Sequence, residues 1–202
     1  MSRSDRRALR PRLHLPSGYP RSYEREEVLA DGRPVQLRPI VPDDIDELRD
    51  AVAEADAETL HDRFLGARAP STDKELQRLV RVDYDRRFAV VALSHSGRGV
   101  GIARYEAADG SDRAEVAVAV DPGWRRVGLA TALLRLLGEA AIDHGIATFT
   151  LLFEVDNVDV SSIVHASHLP VALRRTDGLI EAEVGIGAAE QELGLQLPPS
   201  LR

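Results

Sequence analysis

The chain of 202 residues has no cysteine. That excludes a disulfide framework, a thiolate nucleophile and any metal site built on sulfur. Lysine is almost as scarce: Lys74 stands alone against 25 arginines. No Gly-Lys-Ser/Thr can close a Walker-type phosphate loop, and no G-x-G-x-x-G marks a dinucleotide site. The six histidines form no H-x-x-x-H or H-E-x-x-H arrangement, so no metal is expected. No apolar run approaches the ~20 residues of a membrane span. The basic N-terminus lacks the apolar stretch of a signal peptide. These absences make the cytoplasm the expected location and leave no reason to expect a membrane partner.

What is present is an ordinary globular composition, 44% hydrophobic, long enough for one domain with a real core. Charge is unevenly placed. Residues 1–25 hold seven arginines against Asp5 and Glu24, a net of +5, which leaves −12 on the rest of a chain whose total is −7. An acidic body argues against nucleic acid as a partner. The arginine-rich, proline-containing head predicts a disordered basic tail over residues 1–27, with 28–202 as a single domain.

Periodicity sketches that domain. Val35–Ile40 alternates as a strand. Pro42-Asp43-Asp44 opens a helix that continues through Ile45, Leu48 and Val52. A short helix is expected near Glu58–Leu65, ending at Gly66. Thr72 and Glu75 form a capping box ahead of Leu76, Leu79 and Val80. Phe88–Leu93, Val100–Tyr105 and Glu115–Val120 read as a three-stranded meander. A helix follows over 128–143, with Gly145 as its terminator. Then come a strand at Phe149–Val155, a helix capped by Asn157, and strands at Val171–Thr176 and Leu179–Ile186.

The most informative stretch is Ala114–Gly145, where a strand breaks and opens directly into a helix at Arg125-Arg126-Val127-Gly128-Leu129-Ala130. A helix start presents unpaired N–H groups and the positive end of the dipole, a ready site for phosphate oxygens. Gly128 allows close backbone approach, Ala130 keeps the surface low, and two arginines add charge-assisted donors. The chemistry is that of a pyrophosphate cradle.

Those six residues resemble the R/Q-x-x-G-x-G/A motif of the GNAT (Gcn5-related N-acetyltransferase) superfamily, and the element order over roughly 33–186 is similar to that family's. The resemblance implies an α+β, α/β/α layered fold. Its sheet would be mixed and mostly antiparallel, with about six to seven strands, splayed at the strand before the CoA-binding helix. It implies acetyl-CoA as cosubstrate, held by the main chain of Val118 and Val120, by Arg125, Arg126, Val127, Gly128, Leu129 and Ala130, and by Asn157. Thr59–Gly66, ending Arg63-Phe64-Leu65-Gly66, resembles the R-F-x-G segment of the bacterial Pat-like protein-lysine acetyltransferases, which act on acyl-CoA synthetases. A homodimer is left open.

Acyl transfer to an amine requires a proton acceptor, because a lysine ammonium has a pKa of ~10.4. Glu115 is the candidate catalytic base. It lies ten residues before Arg125, on a strand face shared with Ala117 and Ala119. Glutamate at this strand position is the base in protein-lysine acetyltransferases of the superfamily, with Glu154 or a water next in line here. The superfamily's tyrosine acid falls at Val164 and its Gly-Phe pair at His168-Leu169, so no phenol is expected; by that resemblance the CoA thiolate leaves without a dedicated acid, with His165 and His168 as alternatives. Trp124, just before the cradle, covers the cofactor or sits exposed. The leading expectation is acetyl transfer to a protein lysine. The alternatives are a small-molecule amine acceptor and a non-catalytic acyl-CoA-binding module.

Overall fold

A break in an eight-stranded sheet positions everything that follows. The structure is a computed structural model and describes residues 15–54 and 72–187. The strands are β1 (Arg25–Val28), β2 (Pro34–Pro39), β3 (Arg87–Ser94), β4 (Gly99–Ala107), β5 (Arg113–Val120), β6 (Thr148–Glu154), β7 (Val171–Thr176) and β8 (Leu179–Gly185). The described helices are α1 (Ile45–Glu54), α2 (Asp73–Val80), α3 (Leu129–Asp143) and α4 (Val158–Ala166). The strand order is β1-β2-β3-β4-β5-β6-β8-β7. Every neighbouring pair is antiparallel except β5 and β6. The layered, mixed and mostly antiparallel architecture is the one the sequence predicts, with one more strand. The helix expected near Glu58–Leu65 and the Thr59–Gly66 segment lie outside the described residues.

Helices cover both faces of the sheet. On one face, α3 buries Leu129, Leu133, Leu136, Leu137 and Ala140 in a core shared with Phe88, Val90 and Tyr105. Gly101 on β4 makes that contact close: a Cβ there would lie 3.0 Å from Leu133 Cδ1 and 3.3 Å from Leu129 Cδ2. Gly145 ends α3 in the left-handed region at φ +73°. On the opposite face, α1 and α2 set Ile45, Leu48 and Val80 against Ile40, Ala89, Val91 and Ile102. The capping box forms as expected, Glu75 N–H donating to Thr72 Oγ1 and Thr72 N–H to Glu75 Oε2.

A buried ion pair fixes where α1 starts. Arg38 Nη2 and Nη1 donate to the two Asp44 carboxylate oxygens at 2.5 and 2.8 Å, and Val41 N–H donates to Asp44 Oδ2 at 2.8 Å. Both side chains are nearly sealed from water. Removing one partner strands a buried charge, a loss of about 3–5 kcal/mol.

The expected tail over 1–27 is too long. Residues from 15 onward are part of the body. Tyr23 packs edge-on against Phe88, 5.3 Å between centroids, and its hydroxyl donates to Asp143 Oδ2 at 2.6 Å. Arg25 pairs with Glu139 and Glu27 with Arg135, tying β1 to α3. Charge rather than apolar alternation holds β1 against α3, which is why hydrophobic periodicity does not find it.

The break lies between β5 and β6. Their pairing covers only Arg113↔Thr148, Ala114↔Phe149 and Glu115↔Thr150. Past that point β5 follows β4 as far as Val120↔Gly101, while β6 follows β8 as far as Glu154↔Leu179. Asp121 N–H donates to Val100 O at 3.0 Å. Antiparallel alternation then turns the main-chain groups of Ala117 and Ala119 toward β4, and those of Val118 and Val120 into the gap.

Candidate active site

The gap opens into a cavity of about 240 Å³ on the α3 side of β5. Val118 and Val120 line it from the strand, Trp124, Arg125, Arg126 and Gly128 from the loop, Leu129 and Ala130 from the start of α3, and Asn157 from α4. One site therefore gathers residues that the sequence spaces over 40 positions. The exception is Val127, whose side chain packs on the core and whose carbonyl accepts Ala30 N–H at 3.1 Å.

The backbone makes the cradle. Arg126 has φ +60° and Gly128 has φ +89°. The second value is the left-handed region in which a side chain is strained. A Cβ at Gly128 would meet no atom within 4 Å, so the glycine serves the conformation and leaves open room rather than filling a packing contact. Ala132 N–H closes the first helical bond, on Gly128 O at 3.0 Å. The N–H groups of Leu129, Ala130 and Thr131 precede it and have no intrahelical acceptor. Arg126 is largely exposed and stands 3.5 Å from Asp159, a weak tether that leaves its guanidinium beside the cavity. Asn157 Oδ1 accepts Val160 N–H at 3.0 Å, so it caps α4 and lines the cavity at once. Orphan donors at a helix start, two arginines and an unpaired strand edge together fit a diphosphate followed by an amide-bearing arm.

The hairpin turn between β1 and β2 braces this loop from outside. Arg33 stacks on the Trp124 ring at 3.8 Å and donates from Nη2 to Gly123 O at 3.1 Å. Trp124 faces the cavity as well.

Across β5 lies Glu115, exposed and on the α1/α2 face with Ala117 and Ala119. Its carboxylate has no hydrogen-bond or ion-pair partner among the described residues. Nearby acids on the same face are occupied. Glu106, directly opposite Glu115 on β4, pairs with Arg104 and stands 4.0 Å from Arg78. Glu183 pairs with Arg113 at 2.6 Å, and Glu181 lies 3.8 Å from Arg174. Of these acids, Glu115 is left free to take a proton. Glu154 ends β6 and lines neither cavity.

A second cavity of about 380 Å³ lies under α1 on this face, and Ala119 and Val120 line both. Its walls include Leu48, Ala51, Val91 and Ile102, with Arg104 and Arg98 among them. Sequence reasoning misses this cavity and Arg104, because its walls come from elements spread over residues 40–122 with no local pattern. At the expected acid position, Val164 is buried in the core. His165 and His168 are exposed and line neither cavity. Among the described residues, no helix is long and apolar enough to cross a membrane.

Comparison with known proteins agrees with this geometry. The model of the acetyltransferase (GNAT) family matches residues 52–163. An acetyltransferase of Pseudomonas aeruginosa is 34% identical over 134 residues, 65% of this chain and 70% of that protein. Acetyltransferase Pat of Mycolicibacterium smegmatis is 28% identical over 90% of this chain, which spans 58% of that relative's length. The crystal structure of the GNAT domain of S. lividans PAT superposes with a TM-score of 0.76 at 25% identity, covering 83% of this chain and 99% of that one.

Proposed function

The chain belongs to the acetyltransferase (GNAT) family and is an acetyltransferase, and from that premise we propose that it moves the acetyl group of acetyl-CoA to a lysine side chain of a protein, with Glu115 as general base. An acyl-CoA synthetase is the acceptor class that the resemblance to Pat-like enzymes implies. The observation that carries the reading is the carboxylate of Glu115, unpaired among the described residues, located where β5 parts from β6 and on the face opposite the donor-side cavity. Acetyl-CoA supplies an activated acyl group as a thioester.

Each residue then has a task. The start of α3 with Arg125 and Arg126 neutralises the diphosphate. The main chain of Val118 and Val120 aligns the arm that crosses the sheet. Ala117 and Ala119 keep the far face low enough for an incoming amine. Glu115 accepts the amine's proton directly or through one water as the C–N bond forms and the C–S bond breaks. The sulfur departs as thiolate, since Val164 stands where a tyrosine acid would be.

A second reading, acetylation of a small amine, draws on the half-open cavity under α1, which meets the donor side at Ala119 and Val120. Thiol release from acetyl-CoA, measured against acyl-CoA synthetases and a panel of small amines, separates the two. Turnover with a synthetase that ceases when its target lysine is replaced supports the first. Turnover with small amines alone overturns it in favour of the second. Tight acetyl-CoA binding with no acceptor turned over overturns both and leaves a non-catalytic acyl-CoA-binding module.

A further inference from the structure

Arg104 is an arginine in an expensive position. It is 5% exposed, yet among the described residues only its Nη2 has a hydrogen-bond partner, a Glu106 carboxylate oxygen, and its Nη1 is buried with none. Burial pushes the guanidinium below its ordinary pKa, and the neighbouring charges of Arg78 and Arg87 add to that push against Glu106. A buried donor left unmade carries its full desolvation cost, and structures keep few of them without a reason.

Its placement supplies a reason. Arg104 pairs across the sheet with Ala117, and its side chain lines the cavity under α1. Glu115 sits one pleat along the same face, about 7 Å away in strand rise. Arg104 and Glu115 therefore flank Ala117, beside the Val118 main chain that faces the gap. We propose that Arg104 is a carboxylate receptor, its Nη1 taking a carboxylate carried by one of the two substrates at the transfer point. This rests on the reading that transfer takes place on the Ala117 face, and it alters one substrate of that reading, because an acetyl group and a lysine side chain carry no carboxylate of their own. Two sources share the chemistry: the far end of a dicarboxylic acyl group on the donor, or a carboxylate on the amine acceptor. Glu106 already answers the guanidinium's charge, and a carboxylate on Nη1 would make a second charge-assisted bond of the guanidinium fork, stronger than the bond a neutral acceptor gives. The Glu106 bond stays in place in either case, so receiving the carboxylate needs no internal pair to break.

The test compares matched substrates that differ by one carboxylate. Succinyl-CoA against acetyl-CoA reads the donor side, and lysine against lysinamide reads the acceptor side. The expected result is at least a tenfold higher kcat/KM for the carboxylate-bearing member of one pair. That preference should fall to within twofold in Arg104→Met, while the neutral member changes little. The pair showing the preference identifies the source. Both pairs within twofold in the wild type would overturn the proposal, as would a preference that survives Arg104→Met. Where Arg104→Met does not fold, Arg104→Gln keeps a donor for Glu106 and serves the same purpose. If no substrate turns over, the transfer reading fails by itself. The same ratios are then read as dissociation constants, by calorimetry with the two CoA thioesters and with the two amines on the CoA-loaded protein; equal affinities in both pairs overturn the carboxylate receptor.

Discussion

The two faces of β5 are built on opposite plans. On the α3 side, most of the cavity comes from Val118–Thr131, a nearly continuous stretch, whose polar chemistry is mainly that of main-chain groups and two adjacent arginines, with Asn157 and Asp159 added from α4 and its cap. On the α1 side, the cavity draws on α1, α2, β3, β4, β5 and the segment after β2, and its chemistry is that of side chains. The difference has a physical origin. A helix start produces an anion site from the chain's own direction, whatever the side chains. A side-chain cavity exists only once the sheet has assembled. The first plan suits a donor shared by a whole family. The second suits an acceptor that differs from member to member.

The largest expected effect attacks the first plan. Gly128→Glu sets a carboxylate beside the diphosphate position and forces a side chain onto φ +89°. Acetyl-CoA binding, read by calorimetry, should be abolished while circular dichroism still shows a folded protein. Unchanged affinity in a folded variant would separate the cradle from the cofactor and end the comparison. Next in size is a cut on the second face. Glu115→Gln keeps the shape but accepts no proton. Acetyl-CoA affinity should hold while kcat drops by about 10²–10⁴, the usual share of a positioned base. A fall in both would mean that the two faces are not separable at Glu115; normal turnover would move the base elsewhere.

The same contrast governs what could be read from the sequence. Arg125–Ala130 sits between a strand of alternating valines and a helix of leucines at regular spacing, so the cradle is visible from its neighbours alone. The Thr72–Glu75 box and the Asn157 cap are equally local, and both form. β1 escapes notice because Arg25 and Glu27 are held by Glu139 and Arg135, more than 100 residues away. Arg104 escapes for a related reason. Within β4 it reads as a charged residue pointing to solvent, and only the register with Ala89 on β3 and Ala117 on β5 places it inward. Glu115 was identifiable through its distance from the cradle and the family resemblance. That it is left without a partner depends on how Arg104, Arg113 and Arg174 pair with its neighbours, which no local pattern records.

A smaller effect sharpens the donor side. Arg126→Ala removes a charge-assisted donor from the cavity rim. A loss of about 1–3 kcal/mol in acetyl-CoA affinity is the general scale, and the low end is expected because the side chain is exposed and shared with Asp159. Raising the salt concentration should shrink the difference between wild type and variant. Calorimetry at two ionic strengths checks this; a difference that persists in high salt would mean that Arg126 acts through the shape of the loop instead of its charge.

The smallest effect asks whether the donor face depends on anything outside its own stretch. Arg33 reaches the cradle loop from the β1–β2 turn, stacked on Trp124 and bonded to Gly123 O. An exposed cation on an aromatic face contributes about 0.5–1 kcal/mol. Arg33→Ala should therefore raise KM for acetyl-CoA by roughly two- to fivefold, with kcat and the acceptor KM unchanged. Arg33→Lys keeps the charge but not the flat stack or the reach to Gly123 O, and should recover part of the loss. Trp124 is the only tryptophan in the chain, so its emission reports the loop directly. It should shift in Arg33→Ala before any ligand is added, and shift again as acetyl-CoA is titrated. A lowered kcat would place Arg33's influence across the strand, at Glu115. An unchanged KM with a shifted emission would show that the cradle holds its shape without the turn, and that the donor face is as self-contained as its sequence suggests.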